Sequence, residues 1–227
     1  MKRLHKLMVM SETYRQSSLH PQERECEEID LANRYLWRAN RRRLDAESIR
    51  DTILSVSGRL DFRMGGPSFY APISDEALEG LSMKSGAYKP SPAEETRRRS
   101  VYMFTKRGLA VPLMDVFDTC DTTAPNGRRD VTIVPTQALS LMNNGWVDGE
   151  AHALARRVLE ASATNGGRVE AVWRFGLGRE ATELERSSGL AHIGDLLSHP
   201  SAKNSEENAW ASLCHVLINC NEFIYVD

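Results

Sequence analysis

GEAHALARRVLEASATNGGRVEAVWRFGL, residues 149–177, carries the helical period of this chain in its clearest form. Ala151, Leu154, Ala155, Val158 and Leu159 make one apolar stripe, and Val169, Val172 and Trp173 make a second after the break at Gly166 and Gly167. Each stripe must be covered by a neighbour, and a short polar connection makes the two helices antiparallel. Downstream, Thr182 and Glu185 have capping-box spacing ahead of LERSSGLAHIGDLLSH, and Trp210, Leu213, Cys214 and Leu217 form a last stripe before NEFIYVD. Residues 149–227 are therefore predicted to form a small helical bundle.

Upstream the pattern is less regular. Leu4, Leu7, Met8 and the more distant Tyr14 suggest one face of a first helix, and the polar connection SSLHPQERECEEID follows. Ala46, Ile49, Ile53 and Val56 recur at steps of three and four, with Gly58 as terminator, so a second amphipathic helix closes an N-terminal part spanning 1–63. Residues 64–96 hold Gly65-Gly66-Pro67 and four prolines in all and read as an irregular loop or insertion. Within 97–148, RRRSVYMFTKR (97–107) has the best strand composition and DVTIV (130–134) a second. VPLMDVFDTCD begins a short helix at Pro112, and PTQALSLMNNG reads as a helix with proline in its first turn. The fold class expected is mainly α with a minor β element.

Bulk composition excludes several roles. The 227 residues are 41% hydrophobic and 26% charged, with 29 Lys and Arg against 31 Asp and Glu, a net charge of −2. No global field draws such a chain to nucleic acid or anionic lipid, and no apolar run approaches the length of a membrane span. The apolar run LMVM is too short for a signal-peptide core, and a chain that begins inside an amphipathic helix suggests a fragment of a longer one, which the family resemblance given below implies is C-terminal. Cys26, Cys120, Cys214 and Cys220 contain no C-x-x-C pair, and buried thiols are the simpler reading.

Two constellations carry polar chemistry. Between 34 and 51 lie six arginines (34, 38, 41, 42, 43, 50) and three carboxylates (45, 47, 51). On a continuous helix Arg41 pairs with Asp45, Arg43 with Glu47 and Glu47 with Arg50. The two open readings are a charged scaffold helix and an anion site built on bidentate arginine, with a nucleic-acid grip disfavoured because Tyr35 and Trp37 are expected in the core. In FDTCDTTAPNGRRD, Asp118 and Asp121 suit a divalent cation or acid–base work, or else ion pairs with Arg128 and Arg129 that staple the loop. Asp118 and Asp121 are also the expected distant partners of the 41–43 arginines. No nucleophile elbow, phosphate loop, dinucleotide fingerprint or zinc-protease motif is present, and histidines 5, 20, 152, 192, 199 and 215 stand singly.

LHKLMVMSETYRQSS, NRYLWRANRRRLDAESIRDTILSVSGRLD, MGGPS, RRRSVYMFTKR, FDTCDTTAPNGRRDVTIVPTQALSLMNN, FGLGREATELE and WASLCHVLINCNEFIYVD, in that order, resemble the domain of unknown function 1553 family. This is a planctomycete-type module closing large exported proteins that carry a cytochrome-c-like domain upstream. The resemblance implies an extracytoplasmic or periplasmic location and upstream cytochrome-c-like domains of the same longer protein as partners. Cys120 stands where related sequences commonly have proline. Family motifs include Arg42, Arg43, Glu47, Gly65, Gly66, Asp118, Asp121, Arg128, Arg129, Gln137, Asn143, Asn219 and Glu222.

Two functions follow as expectations. In one, the chain is a noncatalytic scaffold or binding module with no cofactor, no metal, no nucleic acid and no membrane span. In the other it is an enzyme or enzyme half acting on anionic carbohydrate, with Asp118 and Asp121 catalytic and Arg42, Arg43, Glu47, Arg128, Arg129, Gln137 and Asn143 binding the ligand. Convergence of these groups in one open pocket favours the enzyme; one-to-one burial favours the scaffold.

Overall fold

The computed structural model describes residues 1–73, 78, 88–106, 109, 111–120, 125, 127–198 and 205–226. Asp121, His199 and much of the 64–96 stretch lie outside the described residues. The chain is mainly α with one small sheet, and it divides into two compact units, Met1–Leu44 with Ile224–Asp227 and Asp45–Phe223.

The first unit holds α1 (Lys2–Val9), α2 (Glu23–Asp30) and a sheet of two strands, β1 (Arg42–Arg43) antiparallel to β2 (Tyr225–Val226). α1 is amphipathic as its spacing predicts, yet it buries no residue, and Leu7 is 71% exposed. Polar bonds order the segment after α2. Asp30 accepts the Tyr35 N–H at 2.8 Å, its carbonyl accepts the Trp37 indole N–H at 2.9 Å, and Asn33 donates to the Arg38 carbonyl at 2.7 Å. The expectation that Tyr35 is core is overturned, since it is 84% exposed while Trp37 is half-buried. Only the backbone of Tyr35 is needed by Asp30.

The second unit begins with α3 (Ala46–Val56), where Asp45 caps the helix by accepting the Ser48 N–H at 2.8 Å. Because the helix starts at Ala46, residues 41–45 are not helical and the expected i,i+4 pairing of Arg43 with Glu47 does not form on a helix. Gly58 ends the element at a φ of 76°. The strand expected at 97–107 is replaced by two 3-10 turns, Glu95–Arg97 and Ser100–Tyr102, and by isolated bridges of Arg98 to Asp61 and Met103 to Phe69. DVTIV forms no strand either. Val131 and Ile133 are exposed, and no neighbouring strand meets them among the described residues.

Five longer helices follow the short α4 (Pro112–Val116): α5 (Pro135–Asn143), α6 (Gly145–Ala161), α7 (Asn165–Leu177), α8 (Glu183–Ser198) and α9 (Glu206–Ile218). A last helical turn spans Asn221–Ile224. Prolines open α4 and α5, and side chains of Asn144, Thr164 and Ser205 cap α6, α7 and α9. Thr182 and Glu185 make the capping box the spacing predicts. α6 packs most extensively on α9, joining Leu154, Ala155 and Val158 to a core with Trp210, Cys214 and Ile218. α7 also meets α9, where a β carbon on Gly176 would lie 2.0 Å from Leu217 Cδ2, so glycine permits the close approach. All four cysteines are free thiols, and burial pushes the Cys214 thiol pKa up.

Candidate functional site

A cleft of about 630 Å³ opens in the second unit. Arg50 of α3, Thr96, the start of α4 and the α5–α6 junction line it, with Ala71 to Ile73 along one side. Arg50 follows the apolar Ile49 on the inward face of α3 and is 6% exposed. Its Nη1 donates to the Arg98 carbonyl and to Ser100 Oγ, both at 3.1 Å, and to Asp51 Oδ1 at 3.3 Å, while Nη2 donates to the Thr96 carbonyl. The guanidinium sits 5.1 Å from the Phe69 ring centre and 5.7 Å from that of Trp146. Burial lowers its pKa and Asp51 works against that shift, so the buried cation survives through pairing. Asp51 in turn accepts the Ser100 N–H at 2.8 Å and its hydroxyl at 2.7 Å.

A second buried arginine explains why the basic run and the Gly-Gly-Pro turn belong together. Arg98 is 1% exposed, donates to the Pro67 carbonyl at 2.6 Å and to the Gly65 carbonyl, and lies 4.2 Å from the Tyr102 ring centre. The Gly65 N–H donates to the Tyr102 hydroxyl at 2.8 Å. Gly65 and Gly66 have φ of 76° and 84°, a left-handed pair that other residues enter only with strain. MGGPS is thus a turn clasped by Arg98, with its carbonyls turned to a cation.

The residues singled out from the motifs are distributed over separate contacts. Glu47 makes a bidentate pair with Arg129 at 2.6 and 2.7 Å, and Arg129 Nε donates to Cys120 Sγ at 2.9 Å. The Glu47 carboxylate holds the Arg129 guanidinium still more firmly protonated than usual. Asp118 occupies the left-handed region at φ 59° and accepts both the N–H and the hydroxyl of Thr132 at 2.8 Å. Gln137 is buried and donates to the carbonyls of Val116 and Thr132 at 3.1 and 3.2 Å, tying α5 to α4 and to the same loop. Arg128 is exposed. Arg42 and Arg43 belong to the first unit, whereas Asn143 lines the cleft and donates to the Leu139 carbonyl at 2.9 Å.

At the far end of the bundle, Arg179 bridges Glu185 at 2.7 Å and Glu222 at 2.6 Å. Arg179 holds the Glu185 carboxyl well below the usual carboxylate range, helped by Thr182. A depressed carboxylate contributes stability that is present above its unfolded pKa of about 4.3 and is lost as pH falls toward the folded value. Melting temperature is therefore expected to drop between pH 5 and pH 3, both values approximate bounds from the linkage relation. Arg179→Gln should flatten that slope; an identical slope would remove this pair from the account.

Sequence reasoning missed Arg50, Arg98 and Trp146. The available signal was the position of Arg50 beside Ile49 on the inward face of α3, and a basic triplet lying downstream of a Gly-Gly turn. Among the described residues, no group of three His, Cys, Asp or Glu is placed to hold a metal ion, and no helix is long and apolar enough to cross a membrane. No curated protein and no solved structure matches the chain. The family model described as a protein of unknown function (DUF1553) matches residues 1–193. With that match spanning most of its length, and the motif residues built into the fold, the chain belongs to the DUF1553 family.

Proposed function

We infer that the chain is a noncatalytic scaffold or binding module. The observation that supports this reading is the commitment of the motif groups to separate partners: Glu47 to Arg129, Asp118 to Thr132, Gln137 to two carbonyls. A general base or metal ligand needs lone pairs aimed at a substrate or ion, and the hydrogen bonds of these side chains go to loop closure. The family resemblance adds the rest of the reading, an exported planctomycete-type protein in which this module follows a cytochrome-c-like domain. The exposed apolar side of α1 is in keeping with a packed partner. Reading the gene upstream in frame for an export signal and a C-x-x-C-H haem motif tests that context.

A thermal-shift screen tests the role of the loop. Divalent metals, sulfated oligosaccharides and uronic-acid oligosaccharides are expected to leave the melting temperature unchanged. Arg129→Ala should lower stability by about 1 kcal/mol, the pair being partly screened by solvent, or roughly 2–4 °C in melting temperature. A saturable rise with a metal or an anionic saccharide, abolished in Asp118→Ala, would instead establish the carbohydrate-active alternative.

A further inference from the structure

We propose that the cleft between Arg50 and the α5–α6 junction binds a neutral hydroxylated ring, the pyranose unit of a saccharide. The scaffold reading is not needed for this, because neither Asp118 nor Arg129 lines the cleft. At about 630 Å³ the space falls in the range of small-molecule sites and exceeds the need of one ring.

The lining has the composition such a ring requires. Trp146, half-buried, offers an indole to the C–H face of a sugar, and Ile73, Val111 and Met114 supply apolar wall. Hydroxyls both donate and accept, so they need partners of both kinds. Arg50, more than nine-tenths buried, makes three hydrogen bonds through Nη1 and one through Nη2, and among the described residues none through its Nε–H. Asn144 uses its Oδ1 to cap α6, which leaves its amide NH₂ as a donor. Asn143 uses its NH₂ on the Leu139 carbonyl, which leaves its Oδ1 as an acceptor. Donors and an acceptor therefore surround an aromatic face.

Charge selects against an anion here. Arg50 is the charged side chain among the lining residues, and Asp51 stands 3.3 Å from it, so the pair presents little net charge to the cleft. A carboxylate or sulfate entering would meet an arginine already neutralised and an aspartate close behind it. A neutral ring loses nothing to that pairing.

The test uses the full chain with cellobiose, maltose and N,N′-diacetylchitobiose as probes, read by saturation-transfer NMR and tryptophan fluorescence. Digalacturonate and adenosine serve as the anionic and nucleoside comparisons. At least one neutral disaccharide is expected to bind saturably with a Kd below about 10 mM, and binding should weaken about tenfold in Asn143→Ala and Trp146→Leu. Asn143 is exposed, so Asn143→Ala keeps the test alive if Trp146→Leu fails to fold. The proposal is overturned by the absence of saturable binding to all three neutral probes, by tighter binding of digalacturonate or adenosine, or by wild-type affinity in Asn143→Ala.

Discussion

Trp210→Ala is expected to lower unfolding free energy by about 3–5 kcal/mol, the range for truncating a large buried aromatic. Trp210 is fully buried in α9, and among the described residues α9 forms the most extensive helix contact, with α6. Truncation removes a large side chain from the core while the surrounding leucines and alanines stay fixed by their own helices, so the cavity persists. The indole N–H has no hydrogen-bond partner among the described residues, which gives a second, sharper expectation. Trp210→Phe removes that orphaned donor together with part of the volume, and the loss should shrink to about 1–2 kcal/mol. Urea denaturation of both variants measures the difference; equal losses would mean that packing of the ring is not what Trp210 contributes.

Arg98→Ala should cost about 3 kcal/mol, from two hydrogen bonds made by a buried cation to carbonyls. Gly65 and Pro67 are themselves at the surface, so water can reach their carbonyls once the guanidinium is gone, and this holds the loss below that of an interior ion pair. Arg98→Lys should recover little, because an ammonium does not reproduce the planar fork that reaches two carbonyls beside the Tyr102 ring. Hydrogen exchange of residues 65–69 should rise in the variant before global unfolding. A melting temperature within 1 °C of wild type, about the resolution implied by a few tenths of a kcal/mol, would show that the turn holds itself.

The helical half was legible because helix packing writes itself into nearby sequence. Leu154, Val158, Trp210 and Leu217 stand at helical steps, and all are buried. The capping box at Thr182 and the proline starts of α4 and α5 are equally local. Residues 97–107 were misread for the opposite reason. Val101, Tyr102 and Phe104 have strand propensity, but a strand also needs a partner, and residues 61 and 69 offer one bridge each. Composition likewise assigns arginine to the surface, so the burial of Arg50 and Arg98 was legible only in the place of Arg50 beside Ile49 and of Arg98 downstream of the Gly-Gly turn. Asp45 and Ser48 did carry the signal that α3 starts at Ala46, and reading that cap would have removed the Arg43–Glu47 helical pair.

The pairing of Arg42–Arg43 with Tyr225–Val226 has a consequence for the order of assembly during synthesis. A ribosome delivers residues 1–44 long before residues 225–226, and the cost of closing so wide a loop is paid late. The bundle between them can collapse on local contacts while β1 still waits for its strand. The first unit is thus left unfinished until translation reaches its other strand, an interval in which β1 presents unpaired backbone groups to chaperones or to a neighbouring domain.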